Sequence, residues 1–133
     1  MKRTSAPFHG CPFPFPTTTW RGIVVDVIDG DTFTIQIDRG WFDTSTFDVR
    51  LSDADALELT SGTVAQKAAA REALLWFLAR ADGRWCVLRT AMDAEKYGRV
   101  LATIDYLGAD GAVHSVSAEL RTRGWAKPAP EGT

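Results

Sequence analysis

Two cysteines in 133 residues are too few for a disulfide framework. Cys86 stands in the apolar run Trp85-Cys86-Val87-Leu88 and reads as a small buried hydrophobe. Cys11 has His9 beside it, but a His-x-Cys pair offers too few ligands for a structural zinc site. Asparagine is absent, and lysine is scarce beside arginine. That bias hints at a GC-rich genome, and it supplies guanidinium, the better bidentate phosphate ligand. No apolar run approaches the ~20 residues that a membrane span requires. Pro7, Pro12, Pro14 and Pro16 interrupt the stretch after Lys2 and Arg3, so it is no secretory signal, and the expected location is the cytoplasm. Positive charge is not in excess either: the net charge of −2 means that any affinity for phosphates comes from local features.

What remains is ordinary for a soluble globular protein, with 45% hydrophobic and 24% charged residues. One domain of this size buries roughly two thirds of its unfolded surface. Residues 1–19 form a proline-containing arm without period, 20–128 the domain, and 129–133 a tail. Alternation predicts a first strand from Arg21 to Ile28, with Ile23, Val25 and Val27 on one face, and a second from Asp31 to Asp38. Arg39 to Thr46 reads as a connection that leaves Trp41 and Phe42 on a finger-like tip, where exposed rings can stack on bases. Phe47 to Ala54 reads as the third strand. Thr60 to Thr63 offers N-caps for a helix over Val64 to Ala81, whose core stripe is Ala70, Leu74, Phe77 and Ala81, broadened by Leu75 and Leu78. Trp85 to Met92 and Gly98 to Leu107 read as strands four and five, and Ser117 is expected to cap a short helix that Gly124 stops. The fold class is α+β, mostly β: a five-stranded OB-type barrel with a long helix between strands three and four and a short C-terminal one.

The chemistry concentrates between Ile28 and Glu58. Asp29-Gly30-Asp31 is a hairpin turn signal between two strands, and Val49-Arg50-Leu51 leads into Asp53-Ala54-Asp55-Ala56-Leu57-Glu58. Asp31, Asp55 and Glu58 can therefore converge at one end of a small sheet. Their mutual repulsion calls for a cation or for arginines such as Arg50 and Arg99.

Ile28-Asp29-Gly30-Asp31-Thr32, then R-L-x-x-x-D-x-x-E from Arg50 to Glu58, then Lys96-Tyr97-Gly98-Arg99, together resemble the staphylococcal nuclease (thermonuclease-like) family. The ending Ala118 to Ala126 is similar too, and the likeness runs from about Arg21 to Lys127. It implies a Ca²⁺-dependent nuclease acting on single-stranded or locally melted DNA and RNA, leaving 3′-phosphate and 5′-hydroxyl ends, as a monomer without a membrane partner. By the same resemblance, Asp31, Asp55 and the backbone carbonyl of Ala56 hold Ca²⁺, with Asp29 behind them. Glu58 is the general base, Arg50 and Arg99 grip the phosphate, and Lys96 and Tyr97 lie near a terminal phosphate of the bound nucleotide.

The chain departs from the family in two places. Leu57 stands where proline usually precedes the glutamate, which relaxes the turn that aims Glu58. The ending at Pro128 to Thr133 lacks the family's nucleotide-contacting tyrosine and terminal helix. The other class compatible with the sequence is a non-catalytic nuclease-like module that binds nucleic acid or a protein. Loss of the acids or arginines marks such modules, and here all are present.

Overall fold

The computed structural model describes residues 12–13, 18–90 and 100–128. The rest of the arm, the His9–Cys11 pair, residues 91–99 with the adjoining ends of the expected fourth and fifth strands, and the tail 129–133 lie outside the described residues.

Strands β1 (Thr19–Asp29), β2 (Thr32–Gly40) and β3 (Asp43–Leu51) form an antiparallel meander. Helix α1 (Val64–Arg80) follows, then β4 (Trp85–Thr90) against β1 and β5 (Val100–Leu107) against β4. Parallel pairing of Val49, Arg50 and Leu51 with Val100, Leu101 and Ala102 joins β3 to β5 and closes a five-stranded barrel. A short sixth strand, β6 (Val113–Ser115), adds to the far side of β5, and helix α2 (Val116–Thr122) comes next. The sequence pattern does not mark β6, because three residues are too few to show alternation. Among the described residues no helix is long and apolar enough to cross a membrane.

Val24, Phe33, Ile35, Val49, Leu88, Ile104 and Tyr106 fill the barrel and are buried. α1 caps it: Phe77 meets Phe33 edge-on at 5.4 Å and Tyr106 at 6.4 Å. Thr63 starts that helix in a capping box, accepting from the Gln66 N–H while the Gln66 side chain accepts from the Thr63 N–H.

Four details differ from expectation, each for a local reason. In β1 the inward residues are Val24 and Val27, while Ile23 and Val25 face out. A bulge at Val25, between the pairs Val24–Ile35 and Asp26–Thr34, switches the phase of the strand. On α1 the buried stripe is Ala70, Ala73, Phe77 and Ala81 with Leu74 half-buried. Leu75 lies on the side of the helix away from Phe77 and Leu78 at the edge of the stripe, so both are exposed. Ser115, not Ser117, caps α2, accepting from the Ala118 N–H at 3.2 Å; Ser117 is buried and donates to Asp53 at 2.8 Å.

The expected long connection from Arg39 to Thr46 is instead two residues, and β3 begins at Asp43 rather than Phe47. Threonines suit a strand as well as a loop, and Thr34–Asp48 and Gln36–Thr44 side-chain bonds run between β2 and β3. Gly40 pairs with Asp43, so Trp41 and Phe42 are the whole turn, with φ of 55° and 60°. Positive φ at both central residues is the type I′ pattern that favours Asn-Gly, and bulky side chains sit there at a cost. Trp41 and Phe42 are also 97% and 110% exposed, so nothing in the monomer offsets that cost.

Trp41→Asn with Phe42→Gly is therefore expected to stabilise the isolated chain by about 1–2 kcal/mol. Equilibrium urea unfolding at low protein concentration measures this. A destabilised double variant would mean that the two rings contribute to the fold.

Candidate functional site

The turn from β1 to β2 is as tight as the sequence suggests, with Asp29 paired to Thr32. A side chain on Gly30 would come within 3.0 Å of the Ala56 Cβ and 3.2 Å of Leu120, so only glycine lets the turn sit against the loop after β3. Asp31 then lies buried beneath that loop. Its N–H donates to Asp29 Oδ1 at 3.1 Å, its Oδ1 accepts from the Thr32 hydroxyl at 3.2 Å, and its Oδ2 accepts from the Ala56 N–H at 2.9 Å.

The register of β2 against β3 places Arg50 opposite Thr32, beside Asp31. Its Nη1 lies 2.6 Å from Asp31 Oδ2, and its Nη2 donates to Asp55 Oδ1. One guanidinium thus spans the two carboxylates whose repulsion the sequence flagged. Asp55 is held from behind by an antiparallel bridge between Ala56 and Ala126, in which the Lys127 N–H donates to the Asp55 carbonyl at 2.7 Å and the Leu57 N–H to the Trp125 carbonyl at 2.9 Å.

Glu58 lies further along the same loop, with different partners. Its Oε1 accepts from Lys127 Nζ at 2.6 Å and its Oε2 from the Ser61 hydroxyl. Asp29, Asp31, Arg50 and Asp55 are thus brought together, with Ala56 meeting Asp31 through its N–H. Lys96, Tyr97 and Arg99 lie outside the described residues. Lys127 carried no signal in the sequence, since a lysine near a terminus usually reads as a solvated charge. Asp53 was also missed; Ser117 and Arg121 bond its carboxylate and carbonyl and so moor the loop to α2.

Electrostatics follow from this packing. Burial, a hydrogen bond to Asp31 and that neighbour's charge push Asp29 up to about 6. Burial would also raise Asp31, but hydrogen bonds from Asp29, the Ala56 N–H and Arg50, with the guanidinium's charge, hold it below the usual carboxylate range. Burial works against the charge on Arg50, yet the three acids more than reverse this and keep it protonated. Hydrogen bonds from Lys127 and Ser61 hold Glu58 low, as an ionised carboxylate.

Whether Ca²⁺ fits is a question of donors. The oxygens are hard and of the right kind, but those of Asp31 already accept from Thr32, Ala56 and Arg50. The cation between Asp31 and Asp55 is the Arg50 guanidinium. Among the described residues no group of three or more His, Cys, Asp or Glu is arranged to hold a metal ion. As arranged, Arg50 stands between the two carboxylates where the resemblance would put a metal ion. No model of a protein family matches this chain, and no curated protein matches it.

The raised Asp29 has a signed consequence for stability. Below its ordinary value of 3.8 the carboxyl is protonated in the folded and unfolded chain alike, and the folded state keeps its advantage. As pH rises through about 6 the folded state has to ionise it beside Asp31, and that advantage is lost. Asp29→Asn retains an oxygen for the Asp31 N–H and cannot ionise. Relative to wild type, the variant is expected to gain on the order of 2 kcal/mol between pH 4 and pH 7.5. Urea unfolding across that range reads the gain, and parallel curves would mean that Asp29 titrates normally.

Proposed function

We propose that this chain is a nuclease of the staphylococcal nuclease type, built on an OB-fold barrel and hydrolysing phosphodiester bonds in single-stranded or locally melted DNA and RNA. The observation that carries the reading is the Arg50 guanidinium held among Asp29, Asp31 and Asp55 at one end of the barrel, with Glu58 on the same loop. The order β3-β2-β1-β4-β5 closed by β3–β5, with a helix between β3 and β4, supports the OB assignment.

In the proposed reaction the Arg50 guanidinium turns from its carboxylates to the phosphoryl oxygens and meets the charge that grows on them. Water attacks phosphorus and gives a proton to Glu58, which has parted from Lys127. The bond from phosphorus to the 5′ oxygen breaks, that oxygen takes a proton from water, and a 3′-phosphate and a 5′-hydroxyl remain. By resemblance, Arg99 is the second guanidinium, and Lys96 and Tyr97 lie by a terminal phosphate. Ca²⁺ enters the proposal as a requirement to be tested. A cation meets Asp31 and Asp55 only after Arg50 leaves them, and no step above runs through one.

A second reading has an observation of its own. Arg50 and Glu58, the groups a nuclease needs free, are both engaged by protein partners. That favours a non-catalytic module in which the acids and Arg50 fasten the loop.

Digestion of a fluorescent single-stranded oligonucleotide, with Ca²⁺ and again with chelator, decides between them. Wild type is expected to cleave. Arg50→Lys is expected to lose at least about a hundredfold in kcat, since lysine cannot present two parallel N–H groups to a phosphate. Glu58→Gln is expected to lose turnover with little change in oligonucleotide binding. Binding without cleavage by wild type in either condition would overturn the nuclease reading, and undiminished cleavage in chelator would remove Ca²⁺ from it.

A further inference from the structure

Toward the far end of the β2–β3 hairpin from Asp31 and Arg50, eight residues or about 27 Å along β2, two features adjoin. The first is the tip, where Trp41 and Phe42 stand fully in solvent on a left-handed turn. The sequence could have had small residues there at lower energy, so the rings are kept against a conformational cost, and an outlier of that kind points to a use. The second is a groove of about 580 Å³ on the outer surface of the barrel. Its floor is apolar, made by Ile23, Trp85, Val87, Leu107 and Val113. Trp85 and Val113 are each 68% exposed, so this is a large uncovered apolar surface. Gln36, Asp38 and Thr44, on the same hairpin just behind its tip, form one wall.

We infer that this face is a self-association surface, in which the Trp41–Phe42 tip of each copy of this chain enters the groove of the other. Three observations select a second copy over other occupants. Tip and groove are neighbours, since Asp38 and Thr44 of the groove wall stand next to the turn, and a two-fold contact requires one patch to supply both halves. The charges around them are already matched: Arg21 with Asp38 at 2.7 Å, Arg89 with Asp105 at 3.1 Å, and Arg39 with Asp43 at 3.6 Å. Two copies therefore approach without net repulsion. A nucleic-acid backbone or an anionic bilayer would meet no spare cation among these residues, and Asp48 on the hairpin adds a negative charge.

The area is also sufficient. Two aromatic side chains offer about 400 Å². Inserted reciprocally, with matching groove surface covered, they bury about 1,600 Å² in all, the size of a standard stable interface. Such a dimer departs from the monomer expected from the sequence. The contact is remote from Arg50 and stands or falls independently of the proposed nuclease activity.

Sedimentation equilibrium of the full chain tests it, run beside Trp41→Asn/Phe42→Gly, which suits the turn, and Trp85→Ser, an exposed groove substitution. Wild type is expected to pass from monomer to dimer mass at about micromolar concentration. Each variant should weaken association by at least about a hundredfold. A mixture of the two variants should recover part of it, because a mixed dimer keeps one intact tip in one intact groove. Wild type that stays monomeric at hundreds of micromolar, or a tip variant that dimerises like wild type, overturns the inference. So does tip-dependent binding to lipid vesicles or to a single-stranded oligonucleotide by a chain that remains monomeric; in that case the rings serve a bilayer or a base.

Discussion

Closure of the barrel rests on a short parallel seam, with Val49, Arg50 and Leu51 alongside Val100, Leu101 and Ala102. Parallel strands need a long crossover, and here α1 and β4 lie between the two partners. Once the seam forms, Val49 and Leu51 are committed to the interior. Alternation then sends Arg50 the other way, toward the mouth where Asp31 waits. Directly after the seam the chain leaves the sheet, which delivers Asp55 to the other side of the same guanidinium. The placement of the charged cluster is thus a by-product of how an apolar cylinder is shut.

The cluster shows how a fold tolerates acids packed against one another. One guanidinium answers two carboxylates, a backbone N–H satisfies the buried one, and the third acid stays protonated until about pH 6. Removing Arg50 leaves Asp31 and Asp55 with fewer partners in a partly dry environment, where an unmet charge is expensive. The cluster's stiffness and its readiness to engage phosphate therefore pull in opposite directions, since the guanidinium cannot serve its carboxylates and a ligand equally well.

Much of this was legible in the residues, because some signals are local. Asp29-Gly30-Asp31 between alternating runs could hardly be anything but a tight hairpin, and the run of good helix formers after Thr63 could only be a helix. The meeting of Asp31, Arg50 and Asp55 was also foreseeable, with an arginine named as one way to relieve the acids. Other features depended on register or on distant chain. Nothing in Ile23-Val24-Val25 reveals the bulge that turns Ile23 and Val25 outward. Thr44 and Ser45 look like loop until Asp38 and Ile37 are seen opposite them. The attachment of Glu58 to Lys127 spans 69 residues and had no sequence pattern to announce it.

That last tie bears on the order in which the molecule can be assembled. The Asp55–Glu58 loop is backed by Trp125 to Lys127, through the Ala56–Ala126 bridge and the lysine's side chain. A chain emerging from the ribosome can pair β1, β2 and β3 early, because those contacts are local in sequence. The loop that carries Asp55 and Glu58 cannot acquire its final form until Trp125 to Lys127 arrive. During synthesis the barrel's meander therefore exists for a time without a finished site, and whatever the site does is withheld until translation of the domain is nearly complete.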